Sequence, residues 1–329
     1  MPSETWSPFA LIESHHLLQA LYTLHKLGIM PKLQSPTTAV DLAREHQLDP
    51  TMLEVALDYL AMRSNLIQRI DGAYQHTEEY NTLARFYLDQ YIGAYGPNAA
   101  NLETILKEPK RAGSFINRQA HAGAWVGLST PGLELLPGIV NQLQLTNLLD
   151  MGCGPGSLLL DIAKDNPDFK GWGVDINPDM IENAEERAQE ADFSNRLNFF
   201  TGDCGDPTKM VPADLVPQIQ ALTGMSLANE FFGEGDSQAI AWLSALQKTF
   251  PGRALILVDY YGRLGKQTQP GPHHLLLQDF VQAISGQGVP PASLKEWEHI
   301  YETAGCDVLH VVEDDEATFF VHILRLREQ

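Results

Sequence analysis

Basic residues are scarce in this chain of 329 residues: 22 lysines and arginines stand against 42 aspartates and glutamates, a formal net charge of −20. Proteins that bind the phosphate backbone of nucleic acids rely on clustered lysine and arginine, and anionic membranes attract basic segments in the same way. The charge therefore argues against both partners, and we expect neither nucleic acid nor membrane to be bound.

Cysteine is also rare, with Cys153, Cys204 and Cys306 far apart and odd in number. This usage predicts neither a disulfide framework nor a zinc cluster and is typical of a reducing compartment. No stretch approaches 18 consecutive apolar residues, and the first residues lack a basic region followed by an apolar one. We therefore expect a cytoplasmic protein, whose length suits two domains.

Residues 148–156, with the sequence Leu-Leu-Asp-Met-Gly-Cys-Gly-Pro-Gly, are the most informative segment. Leucines and an acid before spaced glycines predict a buried strand that ends in a tight loop, and a helix follows from Ser157. Glycine is needed where a backbone adopts positive φ or touches a ligand, and a helix start offers unpaired N–H groups. Because Ser157 replaces the last glycine of G-x-G-x-x-G, the dinucleotide fingerprint is absent. The segment predicts a site for another nucleoside-bearing cofactor.

This loop, with Asp150 in front of it, resembles that of class I S-adenosylmethionine-dependent methyltransferases. Two later segments fit the resemblance, since predicted strands end at Asp175 and at Asp203. The resemblance implies that Asp175 accepts hydrogen bonds from the ribose hydroxyls and that Asp203 contacts the adenine amino group. The implied cofactor-binding residues are Asp150, Gly152, Gly154, Gly156, Asp175, Ile176, Asp203, Cys204 and Ser226.

The rest of the chain predicts three regions. Residues 1–85 carry helical periodicity and a hairpin around Asp71-Gly72, a winged-helix pattern. This region resembles the N-terminal dimerisation and lid domain of small-molecule O-methyltransferases, which implies a homodimer. Residues 86–145 are expected to be a helical connector that caps the substrate pocket. Residues 146–329 alternate strands and helices, and a short turn makes the last strand antiparallel.

The predicted fold class is therefore α/β: a doubly wound, seven-stranded, Rossmann-like methyltransferase sheet with an antiparallel last strand, plus a mainly helical N-terminal winged-helix domain. In the connector, Arg118 and His121 are candidate pocket residues. Tyr87, Tyr91 and Tyr95 are spaced four apart and would share a helix face, where we favour packing over a role in the pocket.

The candidate catalytic residues differ from the pattern of the family that the chain resembles. In natural-product O-methyltransferases a histidine base, an acid and an aromatic residue follow the fourth strand, and the same frame here holds Asn229, Glu230 and Phe231. Asparagine cannot act as a base. Ordinary O-methylation by that mechanism is therefore in doubt, and the candidate catalytic residues are Glu230, Asn229 and Tyr260.

A histidine pair offers another route to catalysis. His273 and His274 follow a Pro-Gly-Pro break and open a predicted helix, and Gln278 lies one turn after His274. Imidazole nitrogens with an amide oxygen suit Fe(II) or another divalent metal, and the arrangement resembles mononuclear-metal-dependent C-methyltransferases. A metal that chelates a carbonyl would acidify the neighbouring C–H bond. The pair could equally cap the helix or line the pocket without metal.

Together these observations predict an S-adenosylmethionine-dependent methyltransferase that acts on a small molecule of specialised metabolism. The expected reaction is C-methylation of a metal-chelated keto acid or acyl substrate. Two alternatives remain open. One is a cyclase that consumes S-adenosylmethionine and releases methylthioadenosine, and the other is a metal-free O-methyltransferase.

Overall fold

The computed structural model describes residues 7–126, 128, 131–266, 273–314 and 319–328, with the backbone alone at 131, 132, 273 and 274. The chain divides into two compact units, Met1–Ile92 and Gly93–Gln329. No helix in the described ranges is long and apolar enough to cross a membrane.

The first unit contains five helices and one hairpin in its described part. A short π-helix, Leu88–Ala94, follows them and crosses the boundary between the units. The predicted hairpin is confirmed, and its turn places Asp71 and Gly72 at φ 48° and 84°, as a two-residue hairpin turn requires. The elements are α1 (Pro8–Lys26), α2 (Ile29–Lys32), α3 (Ala39–His46), α4 (Pro50–Arg63), β1 (Ile67–Ile70), β2 (Ala73–His76) and α5 (Thr82–Tyr87).

Helices open the second unit, before its sheet begins. They include a 3-10 helix, Pro109–Phe115, between α7 and α8. The predicted helical character of this stretch is confirmed. The α-helices are α6 (Gly96–Ala100), α7 (Leu102–Lys107), α8 (Arg118–Ala124) and α9 (Pro131–Gln142).

Strands and helices then alternate, as the sequence pattern predicts. Two 3-10 turns, Val216–Gln218 and Ala228–Phe231, flank the fourth strand of this region. The elements are β3 (Asn147–Met151), α10 (Ser157–Asp165), β4 (Lys170–Asp175), α11 (Pro178–Glu190), β5 (Leu197–Thr201), β6 (Ala221–Met225), α12 (Asp236–Thr249), β7 (Ala254–Asp259), α13 (His273–Ile284), α14 (Leu294–Thr303), β8 (Cys306–Glu313) and β9 (Phe320–Leu326).

These seven strands form one sheet in the order β5-β4-β3-β6-β7-β9-β8. Strands β3 to β7 are parallel, whereas β9 is antiparallel to both of its neighbours. The predicted α/β sheet with an antiparallel last strand is confirmed. Its strand order reverses between β3 and β6, and open α/β sheets bind ligands at the carboxyl edge of such a switch point.

Apolar side chains cover both faces of the sheet. One buried cluster contains Trp242, Phe250 and Trp297, and the other contains Leu159, Phe169 and Ile181. Burial of this kind stabilises a domain by about 25 cal/mol for each Å² of apolar surface removed from water. The two clusters fix the strands rigidly, so that the polar residues at the strand ends meet at one edge.

Candidate functional site

A cavity of about 400 Å³ lies at the carboxyl ends of the parallel strands. Residues at four separate strand ends line this cavity, and they include most of those predicted to bind a cofactor. Of the nine cofactor-binding residues predicted, eight line it: Asp150, Gly152, Gly154, Asp175, Ile176, Asp203, Cys204 and Ser226. These residues therefore lie at one site.

The loop after β3 is shaped by its glycines. Gly152, Gly154 and Gly156 have φ of 69°, 51° and 72°, a left-handed conformation that side chains with a Cβ rarely adopt. A Cβ on Gly154 would meet no atom within 4 Å, so this backbone faces open cavity. A Cβ on Gly156 would lie 2.9 Å from the Phe199 ring. Gly156 does not line the cavity and instead lets α10 pack closely on the sheet.

Asp175, which ends β4, ties this loop in place. One carboxylate oxygen accepts the N–H of Gly154 at 2.9 Å, and the other accepts the N–H of Asn177 at 2.8 Å. Burial raises the pKa of Asp175, while the hydrogen bonds from Asn177 and Gly154 oppose the rise. A carboxylate in this position offers further lone pairs to hydroxyl groups of a ligand.

Asp150 lies deeper, under the glycine loop. The Thr223 hydroxyl donates to its carboxylate at 2.7 Å. Burial raises the pKa of Asp150 to about 7, because a charged carboxylate is poorly solvated there.

Two further strand ends complete the polar wall. Asp203 follows β5, and its carboxylate accepts the Gly205 N–H at 2.7 Å. Ser226 follows β6 with φ 49°, and its N–H donates to the carbonyl of Val258 at 2.8 Å. A left-handed conformation costs a non-glycine residue roughly 1–3 kcal/mol, and residues strained in this way are often found at functional sites.

Glu230 brings a carboxylate to the same cavity from the 3-10 turn after β6. Burial raises its pKa, and the positive charge of Arg118 opposes the rise. Arg118 and His121, both on α8, also line the cavity, as the sequence analysis allowed. Burial and the nearby Arg118 lower the pKa of His121 to about 4, which leaves its imidazole neutral at pH 7.

Asn229 and Tyr260 are not among the residues that line this cavity, although both were predicted to be catalytic. Asn229 is buried and its polar atoms are engaged elsewhere. Its backbone and side-chain N–H groups both donate to Asp259 at 3.0 Å, and its carbonyl oxygen accepts from Gln282 at 3.0 Å. Burial raises the pKa of Asp259 to about 7. Asn229 thus joins β7 and α13 to the turn that carries Glu230.

Of the three predicted metal ligands, only Gln278 has a described side chain. The side chains of His273 and His274 lie outside the described residues, and Gln278 lies on α13, partly buried. Within the described side chains, no group of three histidine, cysteine, aspartate or glutamate residues is placed to hold a metal ion. The described residues thus supply no metal centre, and the metal site remains a prediction.

Most of the apolar wall of the cavity was not predicted from the sequence. Trp125, Leu128, Leu133 and Met225 line the cavity, as does Phe231, which stacks on Trp242 with ring centroids 4.3 Å apart. The first three lie in or near α8 and α9, far in sequence from the strand ends. No local pattern marks them, because tertiary packing brings them to the site.

Comparison with known proteins agrees with this geometry. A family model described as a methyltransferase domain matches residues 143–248, which span the glycine loop, Asp175, Asp203 and Glu230. The chain carries a class I S-adenosylmethionine-dependent methyltransferase domain. The methyltransferase ungE' of Aspergillus campestris (strain IBT 28561) is 26% identical over 304 residues, which cover 86% of this chain and 85% of the relative.

Two solved structures show that this methyltransferase has the same fold as enzymes of natural-product biosynthesis. The mitomycin 7-O-methyltransferase MmcR superposes with a TM-score of 0.71 at 15% identity, over 96% of this chain and 95% of that one. The O-methyltransferase NcsB1 from neocarzinostatin biosynthesis superposes with a TM-score of 0.66 at 17% identity, over 95% and 96%. The NcsB1 structure contains S-adenosyl-L-homocysteine and 1,4-dihydroxy-2-naphthoic acid.

Proposed function

We propose that this methyltransferase transfers the methyl group of S-adenosylmethionine to a hydroxyl oxygen of a small aromatic molecule in natural-product biosynthesis, without a metal ion. The observation that carries the proposal is one cavity holding both the cofactor-type residues and the carboxylate of Glu230. The likeness to MmcR and NcsB1, both named as O-methyltransferases, supports oxygen as the acceptor.

The residues present fit the cofactor. Bound S-adenosylmethionine supplies an electrophilic methyl group. Gly154 exposes backbone to the cavity, and Asp175 and Asp203 supply carboxylates for the ribose hydroxyls and the adenine amino group. Of the described residues that line the cavity, Arg118 alone carries a permanent positive charge, which suits the carboxylate of the cofactor's methionine portion.

Glu230 would act as the general base. A base works best when its pKa lies near that of the working solution, and burial raises the pKa of Glu230 in that direction. Trp125 and Phe231 form aromatic walls of the same cavity and would hold a flat acceptor by stacking. The acceptor hydroxyl would then lie between the carboxylate and the methyl donor, and its proton would pass to Glu230.

The test uses 1,4-dihydroxy-2-naphthoic acid and other hydroxylated aromatics as probe acceptors, with S-adenosylmethionine in excess. We expect S-adenosylhomocysteine to form at a rate unchanged by EDTA. Glu230→Gln should lower kcat by about 10²- to 10⁴-fold, the range for loss of a general base. Its Kd for S-adenosylhomocysteine should match that of the wild type. Glu234→Gln, an exposed control four residues on, should keep full turnover. Equal turnover by Glu230→Gln would remove Glu230 as the base.

The same assay separates the other two hypotheses. Turnover that stops on chelation, with the new methyl group on carbon by NMR, would favour C-methylation of a metal-chelated substrate with His273, His274 and Gln278 as ligands. Methylthioadenosine in place of S-adenosylhomocysteine would favour the cyclase.

The predicted homodimer also belongs to this proposal. Exposed apolar side chains on α1 and α4 of the first unit, which a second copy would cover, are Phe9, Leu11, Ile12, Met52, Val55 and Met62. Large apolar patches on a protein surface mark interaction sites. Analytical ultracentrifugation should give twice the mass of 36.5 kDa, and a monomer at micromolar concentration would contradict the dimer.

A further inference from the structure

We propose that Gln287 is a positioning residue for Glu230. Ser285 orients the Gln287 side-chain amide, and the N–H group of that amide faces the Glu230 carboxylate. This N–H group favours the ionised form of the carboxylate, which lines the cavity. The inference deepens the proposed function and rests on it for the role of Glu230 as the base.

The backbone around Gln287 is docked directly on the turn that carries Glu230. The N–H of Phe232 donates to the carbonyl of Gln287 at 3.0 Å. A Cβ on Gly288 would lie 2.0 Å from the Phe232 carbonyl oxygen, and a Cβ on Gly233 would lie 2.2 Å from the Gly286 carbonyl oxygen. Only glycine permits so close an approach of two backbones. The position of Gln287 relative to Glu230 is therefore rigid.

Hydrogen bonds fix which way the amide of Gln287 points. The Ser285 hydroxyl lies 2.9 Å from its carbonyl oxygen and 2.9 Å from the Gln282 carbonyl, and shares its proton between them, while the Tyr95 hydroxyl donates to the Gln287 carbonyl oxygen at 3.5 Å. The amide nitrogen must then point away from these hydroxyls. Gln287 is 6% exposed, and this nitrogen is buried with no hydrogen-bond partner within 3.5 Å. A buried donor left in this way is unfavourable, so a negatively charged group nearby would stabilise it.

The charges around Glu230 show what that function is. Burial and the carboxylates of Asp175 and Asp203 favour its protonated form, whereas Arg118 and the Gln287 amide favour its ionised form. A third neighbouring carboxylate, Asp259, also lies within electrostatic reach of Glu230. Glu230 can accept a proton only when it is ionised. By favouring the ionised form, the Gln287 amide keeps Glu230 able to act as a base although three other carboxylates lie nearby.

The experiment titrates Glu230 directly, without substrate. Infrared spectra of the protein at pH 4 to 9 follow the protonated carboxyl band, and the difference between wild type and Glu230→Gln isolates Glu230. We expect Gln287→Met, which fills the space but lacks the donor, to move the titration midpoint of Glu230 to higher pH. Ser285→Ala should move it in the same direction by less, and Gln189→Met, at an exposed position on α11, should leave it unchanged.

Retained affinity for S-adenosylhomocysteine, measured by calorimetry, shows that each variant is folded. In the turnover assay, Gln287→Met should lower kcat by about 2- to 10-fold, because the Glu230 carboxylate loses a nearby N–H dipole, with the KM for S-adenosylmethionine unchanged. An unchanged midpoint of Glu230 in Gln287→Met would overturn the proposal. A shifted midpoint together with full turnover by Glu230→Gln would keep the role of Gln287 and refute Glu230 as the base, so the two failures are distinguishable.

Discussion

Asp150 should make the protein less stable as the pH rises, and Asp150→Asn should remove that effect. Burial raises the pKa of Asp150 to about 7 in the folded protein from an ordinary value of 3.8. The folded protein therefore binds this proton more tightly than the unfolded chain does. Its contribution to stability is fully present below the unfolded pKa and is lost as the pH rises from about 4 to about 7.

The expected size follows from the same shift. A difference of about three pH units corresponds to about 4 kcal/mol at most, since one unit is worth about 1.4 kcal/mol. Between pH 5 and pH 8, roughly 2–3 kcal/mol of this should appear as a fall in the free energy of unfolding. Asparagine keeps a carbonyl oxygen for the Thr223 hydroxyl, which now donates to Asp150 at 2.7 Å, but it does not titrate.

The assay is guanidinium unfolding without cofactor at pH 5, 6, 7 and 8, followed by the fluorescence of the buried tryptophans. The wild type should lose about 2–3 kcal/mol more than Asp150→Asn over this range. Asp168→Asn, at an exposed position after α10, should follow the wild type at every pH. Parallel pH profiles for wild type and Asp150→Asn would refute the assignment of a buried, easily protonated carboxyl to Asp150.

Two further predictions test the polar contacts of the site. Asp175→Ala should raise the Kd for S-adenosylhomocysteine by about 10- to 100-fold in calorimetry, because hydrogen bonds to a charged group are worth about 1.5–3 kcal/mol. Asp168→Ala should not change this Kd, and an unchanged Kd in Asp175→Ala would contradict the cofactor site. Asn229→Ala should lower the free energy of unfolding by about 2–4 kcal/mol, because it removes the buried side-chain bonds to Asp259 and from Gln282, while the backbone N–H of residue 229 still donates to Asp259. A loss below about 0.5 kcal/mol would show that these bonds contribute little.

The strand-end residues were predictable from the sequence because the signals for them are local. Asp150, Asp175 and Asp203 each close an apolar run, and parallel strands bring their carboxyl ends to one edge. The apolar wall next to α8 was not predictable in this way, although Arg118 and His121 of that helix were candidate pocket residues. Trp125 reaches the site only through packing over a long sequence separation, and Gln287 follows α13, more than 50 residues after the turn that carries Glu230.

Asn229 shows a different limit of sequence reasoning. Its place in the frame of a catalytic histidine favoured a role in the reaction, but a motif position does not specify where the side chain points. The structure turns this side chain away from the cavity, into two hydrogen bonds with Asp259 and Gln282. Gly156 and Gly154 belong to the same motif but have different surroundings. Gly156 packs against Phe199, whereas Gly154 faces the open cavity.

The missing histidine therefore does not imply a missing base. The Asn229 backbone and amide both hold Asp259, so the turn keeps its shape whether or not the residue at position 229 can accept a proton. That shape presents the next residue, Glu230, to the cavity. Under the proposed mechanism the structural and chemical tasks are divided between adjacent residues. Asn229→Ala should then act mainly on stability and Glu230→Gln mainly on kcat, so the two variants should separate these tasks.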